Sequence, residues 1–126
     1  MEQKRAVCLL MVRPDGKILA VSRKDDPSKF GLPGGKVEEG ENGRVALARE
    51  VFEETGLHVS SHKDELRSPF TAMCNDYACT TYSTDYRDFV FFTEEEGVPM
   101  WVSKDVLFDG PFAEYNRFLF RSLKIS

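Results

Sequence analysis

GKVEEGENGRVALAREVFEETGL, Gly35 to Leu57, is the stretch whose reading decides the fold. Its second half carries an amphipathic helix pattern from about Asn42 to Thr55. Asn42 suits the cap before a first turn, and Gly56 suits the left-handed residue that ends a helix. At about 100° per residue, Val45, Ala48, Val51 and Phe52 form one apolar face. Glu50, Glu53 and Glu54 fall on the opposite side. Three like charges at a separation near 5 Å repel by about 3 kcal/mol per pair at an effective dielectric of 20, less where water reaches them. Arg49 and Glu53 stand four residues apart and can pair, whereas Glu50 and Glu54 form an unfavourable like-charge pair at the same spacing. A solvated acidic face is the ordinary meaning of glutamates on a helix. A cluster this dense is also a site for divalent cations, and cations held by carboxylates imply chemistry on phosphates.

Around the helix the pattern is mostly extended. Arg5–Val12 reads as a strand, Pro14-Asp15-Gly16 as a turn, and Ile18–Ser22 as a returning strand, so residues 5–22 predict a hairpin. Phe30-Gly31-Leu32-Pro33-Gly34-Gly35 is a tight loop whose glycines let backbone approach a ligand or metal. It lacks the spacing of a dinucleotide or Walker fingerprint. Leu57–Val59, Leu66–Met73, Tyr77–Tyr82, Asp88–Thr93 and Met100–Val102 read as further strands, with Glu94–Gly97 as a turn. A short helical segment opens at Ser103-Lys104-Asp105. A last helix runs from Gly110 to about Leu123, with Phe112, Tyr115, Leu119 and Leu123 on one side. Strands with one helix in the middle and helices at the end predict an α/β mixed sheet with helices packed on it.

The bulk numbers exclude several classes. A chain of 126 residues is sized for a single domain over residues 1–126. The net charge of −4 argues against nucleic acid or acidic membranes as partners. Ala6–Val12, the longest apolar run, is too short to span a bilayer, and the N-terminus has no signal-peptide pattern. The expected location is the cytoplasm. The three cysteines, Cys8, Cys74 and Cys79, are odd in number and irregular in spacing, which suits reduced thiols rather than disulfides or a zinc site.

The spacing of Gly35, Glu41, Arg49, Glu50, Val51, Glu53, Glu54, Gly56 and Leu57 resembles the signature of the Nudix (MutT-like) hydrolase family. The motif covers less than a fifth of the chain, and Leu32-Pro33-Gly34-Gly35 before it and Trp101-Val102 late in the chain also look like the family. The resemblance implies the Nudix fold, a mixed β-sheet sandwiched between α-helices. It implies hydrolysis of a phosphoanhydride bond in a nucleoside diphosphate linked to another moiety. By its pattern Glu50, Glu53 and Glu54 are metal ligands, Arg49 orients them, and Glu41 and Gly56 are structural. The implied cofactor is Mg²⁺, with Mn²⁺ as a substitute. Backbone carbonyl oxygen at Gly34 or Gly35 is a further ligand candidate. A distant carboxylate is expected to join them, with Asp85, Asp88 and Glu94–Glu96 as candidates. Phe30, Phe112 and Asn116 are candidates for contact with a base, each with core packing as its alternative. Trp101 is expected in the core, and His58 and His62 on the surface. The short chain favours a nucleoside triphosphate as substrate, giving a monophosphate and pyrophosphate. ADP-ribose or a nucleotide sugar is the alternative substrate, and a nucleotide-sensing module without turnover is the alternative from another class. Edge strands make a homodimer a candidate assembly.

Overall fold

The computed structural model describes residues 3–22, 29–62, 65–74, 76–87, 98–108 and 113–122. In chain order the elements are β1 (Arg5–Leu10), β2 (Ile18–Ser22), β3 (Phe30–Gly31), β4 (Gly34–Lys36), α1 (Gly43–Thr55), β5 (Arg67–Cys74), β6 (Tyr77–Ser83), β7 (Pro99–Val102), α2 (Lys104–Phe108) and α3 (Ala113–Ser122). The strands form two sheets. One has the order β4-β1-β6-β5 and the other β3-β2-β7. The first is mixed: β1 runs antiparallel to β4 and parallel to β6, and β6 runs antiparallel to β5.

β1 explains the architecture. Its apolar run is unbroken because both faces are covered, as expected of a central strand with parallel pairing. Val7, Leu9 and Met11 enter one core with Ala46, Leu47 and Val51 of α1. Cys8 and Leu10 enter a second core with Leu107 of α2 and Tyr115, Leu119 and Phe120 of α3. Helices thus cover both faces of the strand, an α/β fold.

Several sequence expectations are corrected. The segment 5–22 is not a continuous hairpin. The turn forms as expected, with Gly16 at φ 89 and its N–H donating to Arg13 O at 2.8 Å. Pairing stops at the Val12–Ile18 bridge, and β1 and β2 then part into different sheets. The reason is competition: β1 takes β4 and β6 as its two neighbours, which leaves it no free edge for β2. Leu57–Val59 makes no strand. Leu57 and Val59 are buried by packing in the α1 core without a ladder. The expected strand Asp88–Thr93 and turn Glu94–Gly97 lie outside the described residues, as do Gly110, Phe112 and Leu123.

Helix α1 has the expected ends. The Asn42 side chain accepts from Val45 N at 2.9 Å, and Gly56 closes the helix at φ 83 with its N–H on Phe52 O. Its buried face differs from the expected one. Ala46, Leu47, Val51 and Thr55 are buried, while Val45 and Phe52 are 43% and 38% exposed. Phe52 instead stacks on His58 with ring centroids 4.2 Å apart. The helix is turned so that the buried side brackets Glu50 and Glu54. These carboxylates face the glycine loop rather than open water.

Candidate active site

The site is built where α1 crosses β4. Gly34 N donates to Glu54 Oε1 at 2.7 Å, across 20 residues of sequence. At Gly35 an added Cβ would stand 2.6 Å from Glu50 Cδ and 2.8 Å from each of its carboxylate oxygens. Glycine is required there because the Glu50 carboxylate occupies the space of a side chain. At Gly34 an added Cβ would meet Val7 O at 2.0 Å and Cys8 Cα at 2.6 Å, and its φ of +157 is itself unusual for other residues. The two glycines therefore answer two different needs: strand packing at Gly34 and carboxylate access at Gly35.

Arg49 organises the cluster. Its Nε donates to Glu41 Oε2 at 2.9 Å, one terminal nitrogen donates to Glu50 Oε1 at 2.8 Å, and the other donates to Glu41 Oε1 at 3.1 Å and to Lys36 O at 3.4 Å. Glu53 lies 3.6 Å from the same guanidinium. Spacing alone pairs Arg49 with Glu53; the structure brings Arg49 closer to Glu50, at 2.8 Å against 3.6 Å. Hydrogen bonds from Arg49 and from Glu38 N hold the Glu41 carboxyl at a pKa of about 2. The Glu41 hydrogen bond is the main reason that the Arg49 guanidinium is pushed above its ordinary range. Glu41 is thus the anchor and Arg49 the arm that fixes Glu50, a division of labour that forked arginine geometry permits.

Exposure grades the acids. The Glu50 side chain is 19% exposed and that of Glu53 45% exposed. Among the described residues no three His, Cys, Asp or Glu side chains converge closely enough, as placed, to form a metal cage. The residues nonetheless fit a hard cation. Glu50, Glu53 and Glu54 offer only oxygen, and the Gly35 backbone is bare where Glu50 lies against it. Mg²⁺ and Mn²⁺ take oxygen ligands, and Mg²⁺ commonly keeps several waters, so a few carboxylates suffice.

A cavity of about 330 Å³ opens on the other side of the same two glycines. Gly34, Gly35 and Lys36 form one wall and Ala6, Val7 and Cys8 the floor; Tyr77, Cys79, Tyr115 and Asn116 are among the other lining residues. Its size is in the range of small-molecule pockets, about 300–1,000 Å³. Asn116, a candidate from sequence, is 2% exposed, and its Nδ2 donates to Leu107 O at 3.4 Å, tying α3 to α2. The Tyr115 hydroxyl shares a 2.7 Å hydrogen bond with Thr81 Oγ1 and donates to Cys79 O at 3.1 Å. Burial pushes its phenol above the ordinary value. Lys36 Nζ lies 5.6 Å from the Tyr77 ring centroid.

The other candidates are placed as follows. Phe30 is half-buried against the second core and does not line the cavity. Asp85 pairs with Arg67 at 2.6 Å and lines a separate depression with His62, Glu65 and Arg87. Phe112, Asp88 and Glu94–Glu96 lie outside the described residues. Trp101 packs against the α1 core, and His58 and His62 are exposed. Lys36, Tyr77 and the three cysteines were not anticipated at the cavity. The signal for them is cross-strand register, which appears only once β1, β4, β5 and β6 are aligned.

Comparison with known proteins places the chain in a family. The family model described as NUDIX domain matches residues 2–120. A CTP pyrophosphohydrolase from Escherichia coli is 30% identical over 105 residues, 73% of this chain and 78% of that protein. An ADP-ribose pyrophosphatase from Methanocaldococcus jannaschii is 51% identical over 49 residues, 37% of this chain and 29% of that protein. Like it, other relatives of comparable similarity are matched over only 26% to 34% of their own length. The crystal structure of a MutT Nudix hydrolase from Burkholderia pseudomallei superposes with a TM-score of 0.70 at 24% identity, covering 96% of this chain and 98% of that one, which speaks to the fold. Enzymes of this family use divalent metals and act on small nucleotide substrates. With the family model spanning nearly the whole chain, the chain belongs to the Nudix hydrolase family.

Proposed function

We propose that this protein hydrolyses a nucleoside triphosphate to a monophosphate and pyrophosphate, using Mg²⁺ held by Glu50, Glu53 and Glu54 with backbone carbonyl oxygen of Gly34 or Gly35. The observation that carries the reading is the shared seam. The glycines that receive Glu50 and Glu54 from α1 also form the wall of the cavity. A base seated in the cavity places its phosphate chain toward the carboxylates. When bound, Mg²⁺ neutralises phosphate oxygens, lowers the pKa of an attacking water and stabilises the departing pyrophosphate.

The chain's own residues have distinct parts. Arg49 holds the Glu50 carboxylate in one orientation, so little rearrangement is needed when substrate arrives. Lys36 brings positive charge to the cavity wall that adjoins the acids. Leu32 and Tyr77 exclude water from a bound base, and Asn116 offers an amide to its edge. Triphosphate is favoured over a nucleotide sugar because the relative aligned over most of this chain is named for CTP, whereas the one named for ADP-ribose aligns over 49 residues.

The test is product release from a panel of dNTPs, oxidised dNTPs, ADP-ribose, dinucleoside polyphosphates and sugar nucleotides with Mg²⁺. Wild type is expected to release pyrophosphate from a triphosphate. Glu53→Gln is expected to be slower by about 100-fold or more, since metal stabilisation of transition-state charge is worth several kcal/mol. Faster turnover of ADP-ribose would overturn the triphosphate reading. Equal nucleotide binding by both proteins with hydrolysis by neither would overturn the enzyme reading.

A further inference from the structure

All three cysteines of the chain line the cavity. They belong to adjacent strands, with Cys8 on β1, Cys79 on β6 and Cys74 on β5. The register places Cys79 opposite Ala6 on one side and opposite Ala72 on the other. Cys8 and Cys74 each lie two residues beyond those partners, so the three thiols form a diagonal stripe on one face of the sheet.

That diagonal decides what the thiols can do. Strands about 4.8 Å apart with a rise of about 3.3 Å per residue put such positions about 8 Å apart at Cα. A disulfide needs less than about 7 Å unless the backbone moves. A disulfide along the diagonal would need the strands to shift, and all three cysteines are free. Hydrogen bonding from Cys8 brings the Cys79 thiol down to a pKa of about 7, helped by Tyr115 and opposed by burial. The interaction with Cys79 and burial both push Cys8 up, and burial raises Cys74. Cys79 is the middle thiol of the stripe, is only partly buried and lines the cavity, whereas Cys8 is buried beneath it.

We propose that Cys79 is a site of covalent modification by small-molecule disulfides, and that the adduct occupies the cavity and blocks substrate. The second half rests on the nucleotide reading given above. The Cys79 thiolate attacks one sulfur of the disulfide. A new sulfur–sulfur bond forms, the original one breaks, and the departing thiolate takes a proton from water. The small disulfide is the oxidant and Cys79 is oxidised to a mixed disulfide. An external thiol reverses the mixed disulfide and returns the free Cys79 thiol.

The experiment treats the reduced protein with hydroxyethyl disulfide at neutral pH and follows intact mass, peptide mapping and nucleotide hydrolysis. The expected result is one adduct, on Cys79, with activity falling in proportion to it and returning with dithiothreitol. Labelling slows when nucleotide is present, and its pH profile has a midpoint near 7 in wild type that moves upward in Cys8→Ala. Labelling of Cys74 or Cys8 ahead of Cys79, or undiminished hydrolysis by fully labelled protein, would overturn the proposal. The site is mapped by mass, independently of turnover. Unmodified protein that hydrolyses no nucleotide would count against the proposed function, leaving the modification site to be judged on the peptide map.

Discussion

Gly35→Ala separates catalysis from folding. The new Cβ would stand 2.6 Å from Glu50 Cδ, against an ordinary contact of at least 3.4 Å, so the carboxylate must retreat by about 0.8 Å. The obstacle is the end of a flexible side chain, and the backbone need not move. The expected stability change is therefore small, within about 1 kcal/mol, as for a substitution that strains no backbone and empties no core. Displacement of a reacting group by about 1 Å can lower the rate by about 100-fold. The variant is expected to unfold within a few degrees of wild type and to lose about 100-fold in kcat. Gly34→Ala is the contrast. Its Cβ would strike Val7 O at 2.0 Å and Cys8 Cα at 2.6 Å. Neither can swing aside without parting β4 from β1, so this variant is expected to lose thermal stability outright. Thermal unfolding by circular dichroism and steady-state hydrolysis are the paired assays. Gly35→Ala with wild-type kcat would show that the Glu50 position is immaterial and would refute the reasoning.

Other perturbations follow from the same contacts. The Glu41 carboxyl titrates at about 2 in the fold against an ordinary 4.5; its contribution is complete above pH 4.5 and is lost as the pH falls toward 2. Arg49→Met removes the main cause, so urea midpoints of the variant are expected to fall less than those of wild type across that window; parallel losses would contradict the tether. Asn116→Ala is expected to raise KM about 5- to 10-fold, the worth of one or so hydrogen bonds, with kcat little changed. A collapse of kcat at constant KM would instead place Asn116 with the carboxylates.

What the sequence made legible was local. The caps of α1 were readable because Asn42 reaches only to Val45 and Gly56 only back to Phe52. The turn at Gly16 was readable for the same reason. The buried face of α1 was misread because periodicity assigns apolar residues to the inside. Glu50 and Glu54 turn inward to meet Arg49 and Gly34, displacing Val45 and Phe52 toward solvent. The parting of β1 from β2 was invisible, since it depends on Cys8 pairing with Gly34 and Leu9 with Tyr82, far along the chain. The cavity was invisible for the same reason: it is assembled from residues 6–8, 32–36, 74–79 and 115–116. The spacing from Gly35 to Leu57 pointed to the family, but only long-range register assembles the cavity beside it.

The central claim is that the α1 carboxylates hold the catalytic cation. Binding of Mn²⁺, followed by electron paramagnetic resonance on wild type and on the combined Glu50→Gln, Glu53→Gln, Glu54→Gln variant without nucleotide, tests it most directly. The account predicts tight binding by wild type and its loss in a variant that still unfolds cooperatively; undiminished Mn²⁺ binding by that folded variant would contradict it.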